Sequence, residues 1–255
     1  MPKLKLTLEY DGTDFVGWQV QPNGRTVQEE LEKALRVLLG HDVRVVGAGR
    51  TDSGVHATGQ VASFRAERSL PRSAYLKGLN GILPHDVAVV DVEEVPEAFC
   101  ARRWASAKRY VYRISNRPVR SPLRRRTHWE IFRPLDVASM REAAAHFLGR
   151  HDFSAFRAAD CTAPTTVREL FRLDVLQEDE EIRFVFEATA FLKQMVRNIV
   201  GTLVEVGLGK RPPDDPIRLL ALRDRRLAGE TAPAHGLTLE RVWYNRFPRS
   251  DIVTE

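Results

Sequence analysis

The run Gly47-Ala48-Gly49-Arg50-Thr51-Asp52-Ser53-Gly54-Val55-His56-Ala57 places one acid, Asp52, among glycines and polar neighbours directly after an apolar stretch. Glycines let a chain turn sharply and let other backbone approach closely. A carboxylate held on such a turn can serve as a nucleophile or as an acid–base group. The same residues also fit a tight turn in which Asp52 bonds its own backbone. On the run alone, both readings stand.

Arg197 is the second residue of interest. It lies in the apolar stretch from Phe191 to Leu208, with Gly201 and Val204 as its i+4 and i+7 neighbours. A guanidinium in such surroundings needs a partner if it is buried. No acid stands at i±3 or i±4, so the partner is a distant acid or a bound phosphate, unless the side chain reaches out to solvent.

Other motifs fail on counting. Gly47-Ala48-Gly49 has Asp52 where a dinucleotide fingerprint needs its third glycine, and a carboxylate there would repel a pyrophosphate. Gly207-Leu208-Gly209-Lys210 resembles the end of a P-loop, but Val204 and Arg211 occupy the flanking glycine and Ser/Thr positions. The seven histidines contain no i,i+4 pair, and Cys100 and Cys161 lie far apart with no metal-ligand spacing. Neither a zinc site nor a disulfide framework is expected.

The elements that would carry these residues repeat one plan. Leu4, Leu6 and Leu8 alternate along a strand from Lys3 to Tyr10. Thr26 and Glu29 form a capping box before a helix that Gly40 ends. Strands follow at Val43–Val46 and Val61–Phe64, then a helix from Pro71 to about Leu79, interrupted by Gly78, and a strand at Val87–Val92. The order is β-α-β-β-α-β. It recurs as a strand at Arg109–Ile114, a helix capped by Asp136 and closed by Gly149, a hairpin around Glu178–Glu181, a helix at Lys193–Val206 and a strand at Leu237–Tyr244. One more helix is expected between Asp214 and Leu227. This predicts an α+β protein of two tandem ferredoxin-like domains, residues 1–105 and 106–255, with mainly antiparallel sheets and a catalytic cleft between them.

The 255 residues are 43% hydrophobic and 29% charged, the balance of an ordinary globular protein. No secretory h-region opens the chain, and Lys193, Arg197 and Glu205 interrupt its most apolar stretch. A membrane role is therefore not expected, and the cytoplasm is the expected location. Residues 1–105 carry a net charge of −1 and residues 106–255 a net of +6. Nine basic residues against the single acid Glu130 fall in 106–135, where Arg117, Arg120, Arg124, Arg125 and Arg126 sit in a loop with Pro118 and Pro122. Focused arginine charge points to a polyanionic partner.

Taken in order along nearly the whole chain, these residues resemble the tRNA pseudouridine synthases of the A type. The resemblance is carried by Tyr10-Asp11-Gly12-Thr13, Gly17-Trp18-Gln19, the Gly49–Ala57 run continuing to Val61, and Arg109-Tyr110-Val111-Tyr112. It continues through His151-Asp152-Phe153, Met195-Val196-Arg197 with Ile199-Val200-Gly201-Thr202, and Gly236-Leu237. It implies a homodimer that isomerises uridines 38, 39 and 40 of the tRNA anticodon stem-loop, with no metal, nucleotide or other cofactor. By the same resemblance Asp52 is the catalytic acid and Arg197 its ion-pair partner. A contact pair of this kind gains on the order of 4 kcal/mol at an effective dielectric of 20, which opposes the effect of burial on the acid. Tyr110 would stack on the target base and accept a proton, Arg50 would enter the helix stack as the base flips, and Leu237 would line the uracil pocket. Read without the resemblance, Tyr110 and Leu237 are core residues. Two other classes remain to be weighed: a non-catalytic RNA-binding module, and an enzyme acting on small anionic metabolites. The roles of the arginine loop and of the tail after Phe247 stay open.

Overall fold

The computed structural model describes residues 1–67 and 69–244; the tail after Phe247 lies outside them. The first half runs β1 (Lys3–Tyr10), α1 (Val27–Leu39), β2 (Val46–Gly47), β3 (His56–Arg65), α2 (Arg72–Ile82) and β4 (Val87–Val95). The second runs β5 (Ala107–Asn116), β6 (Trp129–Ile131), α3 (Val137–Ala145), β7 (Gly149–Asp152), β8 (Val167–Glu178), β9 (Glu181–Ala188), α4 (Met195–Gly207), α5 (Asp215–Leu222) and β10 (Leu237–Trp243).

Local signals set most of these bounds. β1 buries Leu4, Leu6, Leu8 and Tyr10 on one face. Thr26 accepts a hydrogen bond from the Glu29 amide at 3.3 Å, and Gly40 closes α1 in the left-handed region, its amide donating to Arg36. Asp136 caps α3 by accepting from the Ala138 and Ser139 amides.

The ten strands among the described residues form one sheet in the order β4-β1-β3-β10-β5-β9-β8-β7, with β2 beside β3 and β6 beside β5. Each half follows the 4-1-3-2 order of a split βαβ unit: β4-β1-β3-β2, then β10-β5-β9-β8. The two expected sheets are therefore fused. The brevity of β2 explains how. It covers β3 only at Ala62 and Ser63, leaving the start of the same edge free, and β10 pairs there in parallel, Thr238 with His56 and Leu239 with Ala57. An edge left open in this way invites another strand.

Four expectations need correction. The strand expected at Val43–Val46 begins only at Val46, because Glu32 on α1 accepts the Val45 amide at 3.0 Å and Gln28 donates to the Val45 carbonyl at 3.5 Å. Those groups are satisfied without a strand partner. β3 starts five residues before the expected Val61; it is buried on both faces and lacks the alternation that would mark it. α3 ends at Ala145, before the expected Gly149, and β7 follows, paired with β8. The helix expected between Asp214 and Leu227 is broken at Arg223, whose φ is 57°. Arg225 beyond the break reaches the Asn198 side chain at 3.0 Å and the Gly229 carbonyl at 2.9 Å.

Candidate active site

Asp52 lies on the turn between β2 and β3, at the seam where the halves join. The turn is held from several sides. Trp18 donates its amide to the Thr51 carbonyl at 3.1 Å, and the preceding Gly17 has φ +112°, with room for no Cβ: one would stand 2.7 Å from the Thr51 oxygen. The Tyr10 hydroxyl meets Thr51 Oγ1 at 2.8 Å, and Gln60 Nε2 donates to the Gly49 carbonyl at 3.0 Å. Val55 closes the turn by donating its amide to the Asp52 carbonyl at 3.1 Å. The Asp52 carboxylate is thus not turned back on its own loop. It faces α4.

There it meets Arg197, whose Nη1 lies 3.5 Å from Asp52 Oδ2. The Asp52 side chain is 25% exposed and that of Arg197 14%, so the pair is largely but not wholly removed from water. Arg197 does not run out to solvent, because its Nε donates to the Ala232 carbonyl at 2.7 Å. The segment supplying that carbonyl is fastened to α4 by polar residues inside the helix. Thr202 Oγ1 accepts the Gly229 amide at 3.0 Å, and Asn198 Oδ1 accepts from the Thr231 hydroxyl at 2.7 Å.

Burial pushes the Asp52 carboxyl above the usual carboxylate range, while the Arg197 guanidinium and, less strongly, the Lys193 ammonium pull it down. Burial wins. The ion pair opposes the shift without cancelling it, which is reasonable for a pair at 3.5 Å rather than in close hydrogen-bonded contact. Lys193, just before α4, is itself anchored to Asp160 at 2.5 Å. Sequence reasoning missed this second ion pair beside Asp52, since the two residues are 33 apart and no motif links them.

Tyr110 sits on β5, opposite Leu239 of β10 and Phe186 of β9. It is 7% exposed and packs edge-on against Phe191, with ring centroids 5.1 Å apart. Burial, with the nearby Tyr10 and Asp52, raises its phenol far above the ordinary value, so the ring is uncharged at neutral pH. Leu237 opens β10 directly across from Tyr112 and is 6% exposed. Directly opposed residues share a face of the sheet, so Leu237 and Leu239 project on the same side as Tyr112 and Tyr110. Arg50 is different. It is exposed, two residues before Asp52, and has no ion pair among the described residues.

The arginine loop is bound to this region by histidine. His56 Nδ1 accepts the Gly12 amide at 3.0 Å, and its Nε2 donates to the Arg126 carbonyl at 2.7 Å. Asp11 Oδ1 also lies 3.1 Å from that Nδ1. Arg126 also reaches Asp11 at 3.5 Å. Among the described residues, no group of three or more His, Cys, Asp or Glu side chains could hold a metal ion, and no helix is long and apolar enough to cross a membrane. Both cysteines are free.

Comparison with known proteins bears on this arrangement. A family model described as tRNA pseudouridine synthase matches residues 7–104 and 143–245. A tRNA pseudouridine synthase A of Myxococcus xanthus is 61% identical over 97% of this chain and 94% of its own length. Proteins of the same name from Geotalea uraniireducens and Pelobacter propionicus are 48% and 50% identical, each over 96% of this chain and 100% of the relative. A solved Cbf5-Nop10-Gar1 complex matches over 92% of this chain and 48% of that chain, at 12% identity and a TM-score of 0.38, too slight a likeness to argue from. The family match spans both halves of the sheet and includes the Asp52 turn, Tyr110's neighbourhood excepted, and the helix that carries Arg197. On that match and those identities, the chain belongs to the tRNA pseudouridine synthases, a family of isomerases.

Proposed function

We propose that the protein converts uridine to pseudouridine at positions 38, 39 and 40 of the tRNA anticodon stem-loop, with Asp52 as the reacting acid and with the target base flipped out of the helix. The observation that carries this reading is the Asp52–Arg197 pair, set at the seam between the halves with 25% of the Asp52 side chain still exposed. A structural ion pair needs no such access, whereas a carboxylate that must touch a substrate does.

The chemistry breaks the N1–C1′ glycosidic bond and forms a C5–C1′ bond to the same base. N1 gains a proton and C5 loses one, so no redox partner or group donor is consumed. The Asp52 carboxylate can attack C1′, add to the uracil ring, or assist loss of a ribose proton on a glycal route. Each route requires an ionised acid, and Arg197 and Lys193 favour that form against the effect of burial. Tyr110 offers an uncharged ring for stacking, and its oxygen can take the C5 proton as its own hydroxyl proton passes to a second acceptor. Leu237 supplies apolar wall beside it. Arg50, exposed and without an ion pair among the described residues, is free to enter the space a flipped base leaves.

We further propose that residues 1–105 and 106–255 act as two domains, that the protein works as a cytoplasmic homodimer, and that tRNA is its macromolecular substrate with no metal or cofactor needed. The excess of positive charge in the second half supports a polyanionic substrate.

The test is release of tritium from C5-labelled uridine in an unmodified tRNA transcript, with wild type beside Asp52→Asn. Wild type is expected to release tritium at the target positions, and Asp52→Asn to bind the transcript without releasing it. A fully active Asp52→Asn protein would overturn the role given to Asp52. Binding without release by wild type would favour the RNA-binding module instead.

A further inference from the structure

Lys108 is a half-buried amine that the reaction above does not use. It stands on β5 two residues before Tyr110, on the same face of the strand, opposite Val242 of β10. Its Nζ donates to the Ala48 carbonyl at 2.8 Å, and it lies so close to Gly49 that a Cβ there would be 2.6 Å from the nitrogen. No carboxylate pairs with it among the described residues. Its charged neighbour is another cation, the Arg102 guanidinium, and burial together with that charge pushes the amine down to about 8. Arg102 also lacks an acidic partner among the described residues, as does Arg50 on the adjoining turn.

Partial burial and a neighbouring cation both disfavour a charged ammonium, and an anion placed between the two cations would relieve both effects. The backbone here is also well fixed. Ala101, next to Arg102, donates its amide to Ser63 Oγ at 3.1 Å and accepts from the Tyr244 hydroxyl at 2.9 Å. Ala48 and Ala101 belong to one small buried cluster with Val61 and Phe99. The two cations are thus carried by rigid parts of the fold.

We infer that Lys108 and Arg102, beside Arg50, form a binding site for one phosphodiester of the RNA backbone near the flipped nucleotide. The inference rests on the proposed function for the identity of the ligand. Arg102 on the surface would make the first contact with the phosphate. Lys108, held against Ala48, would complete it and register the strand against the turn that carries Asp52. Its two remaining N–H groups suit an anionic oxygen.

The experiment is a salt titration of binding to an unmodified tRNA transcript, for wild type, Arg102→Met, Lys108→Met, the double variant, and Lys33→Met. The last removes a charge on α1 that pairs with Glu29 at 2.8 Å, and controls for loss of net charge alone. Each lost phosphate contact lowers the slope of log K against log salt by about 0.7–0.9. Arg102→Met is expected to lower the slope by that amount and to raise KM more than it changes kcat. Lys108→Met should do the same, the double variant should fall by little more than either single one, and Lys33→Met should leave the slope unchanged.

An unchanged slope in Arg102→Met would overturn the site, and that variant lies on the surface and does not depend on refolding of the turn. Loss of kcat in Lys108→Met with an unchanged slope would overturn it too, leaving Lys108 as a support for the Ala48 turn. Binding slopes do not require turnover. A wild type that binds but does not isomerise would therefore count against the proposed function and leave the phosphate site to be judged on its slopes.

Discussion

Arg197 is held between two acceptors, with its Nη1 3.5 Å from Asp52 Oδ2 and its Nε 2.7 Å from the Ala232 carbonyl. The second contact aims the guanidinium and the first uses it. Arg197→Met removes the cation and leaves Asp52 in a site where burial already raises its pKa. Breaking a fully buried pair costs roughly 3–5 kcal/mol. With a quarter of Asp52 exposed the expected cost is lower, about 2 kcal/mol. The acid limb of the pH–rate profile should move to higher pH, because the acid loses its strongest ionising influence. Thermal melting and a pH profile of tritium release check both, and an unmoved limb would count against the pair.

The same acid makes stability depend on pH in a stated direction. Its folded pKa is raised above the unfolded value, so the folded state holds the proton more tightly. The associated stability is fully present below about pH 3.9 and is lost as pH rises through the folded pKa. Asp52→Asn should consequently melt at a higher temperature than wild type at pH 7, with the gap closing toward pH 4. A less stable Asp52→Asn protein at pH 7 would show that the pair stabilises the fold more than burial of the acid destabilises it.

Much of this arrangement can be read in the sequence, and what cannot has physical reasons. β1 and α1 announce themselves through period-2 leucines, the Thr26 cap and Gly40. β3 does not, because a strand buried on both faces has no alternation. The three-residue β6 and four-residue β7 are too short to show a period. At the site, the lack of an acid near Arg197 in the sequence left a distant acid, a bound phosphate or solvent as the alternatives, and the fold supplies the distant acid Asp52. Lys193 with Asp160, and Lys108 beside Ala48, left no comparable sign, since each depends on how distant segments meet.

Arg50→Ala tests base flipping separately from stability. The side chain is exposed and unpaired among the described residues, so melting should change by less than about 0.5 kcal/mol. Extruding a stacked base costs a few kcal/mol. Losing the group that fills the vacated space should therefore slow isomerisation roughly ten- to a hundredfold on a paired target. The defect should shrink on a transcript in which the target uridine is mispaired. An equal defect on both substrates would place Arg50 in ordinary phosphate binding.

Tyr110→Phe separates stacking from proton transfer. The ring and its packing against Phe191 are kept, so stability and tRNA affinity should stay close to wild type. Tritium release should fall sharply if the phenol oxygen takes the C5 proton. Tyr110→Ala should instead cost about 3 kcal/mol of stability, since it empties a buried aromatic position. Full activity in Tyr110→Phe would leave the tyrosine as a stacking surface alone.

Gly201→Ala reaches the site without touching it. On an isolated helix the change would stabilise by about 0.8–1 kcal/mol. Here the added Cβ would stand 1.8 Å from the Glu230 carbonyl oxygen, and backbone cannot rotate aside as a flexible side chain can. The segment lying on α4 must shift, at an expected cost of about 1–3 kcal/mol. Its movement carries Ala232 with it, and Ala232 holds both the Arg197 side chain and, through its own amide at 3.2 Å, the Arg197 carbonyl. Activity measured well below the melting temperature should consequently drop even where the protein remains folded. A variant more stable than wild type and fully active would mean that the Ala232 segment yields freely, and that Arg197 finds Asp52 without it.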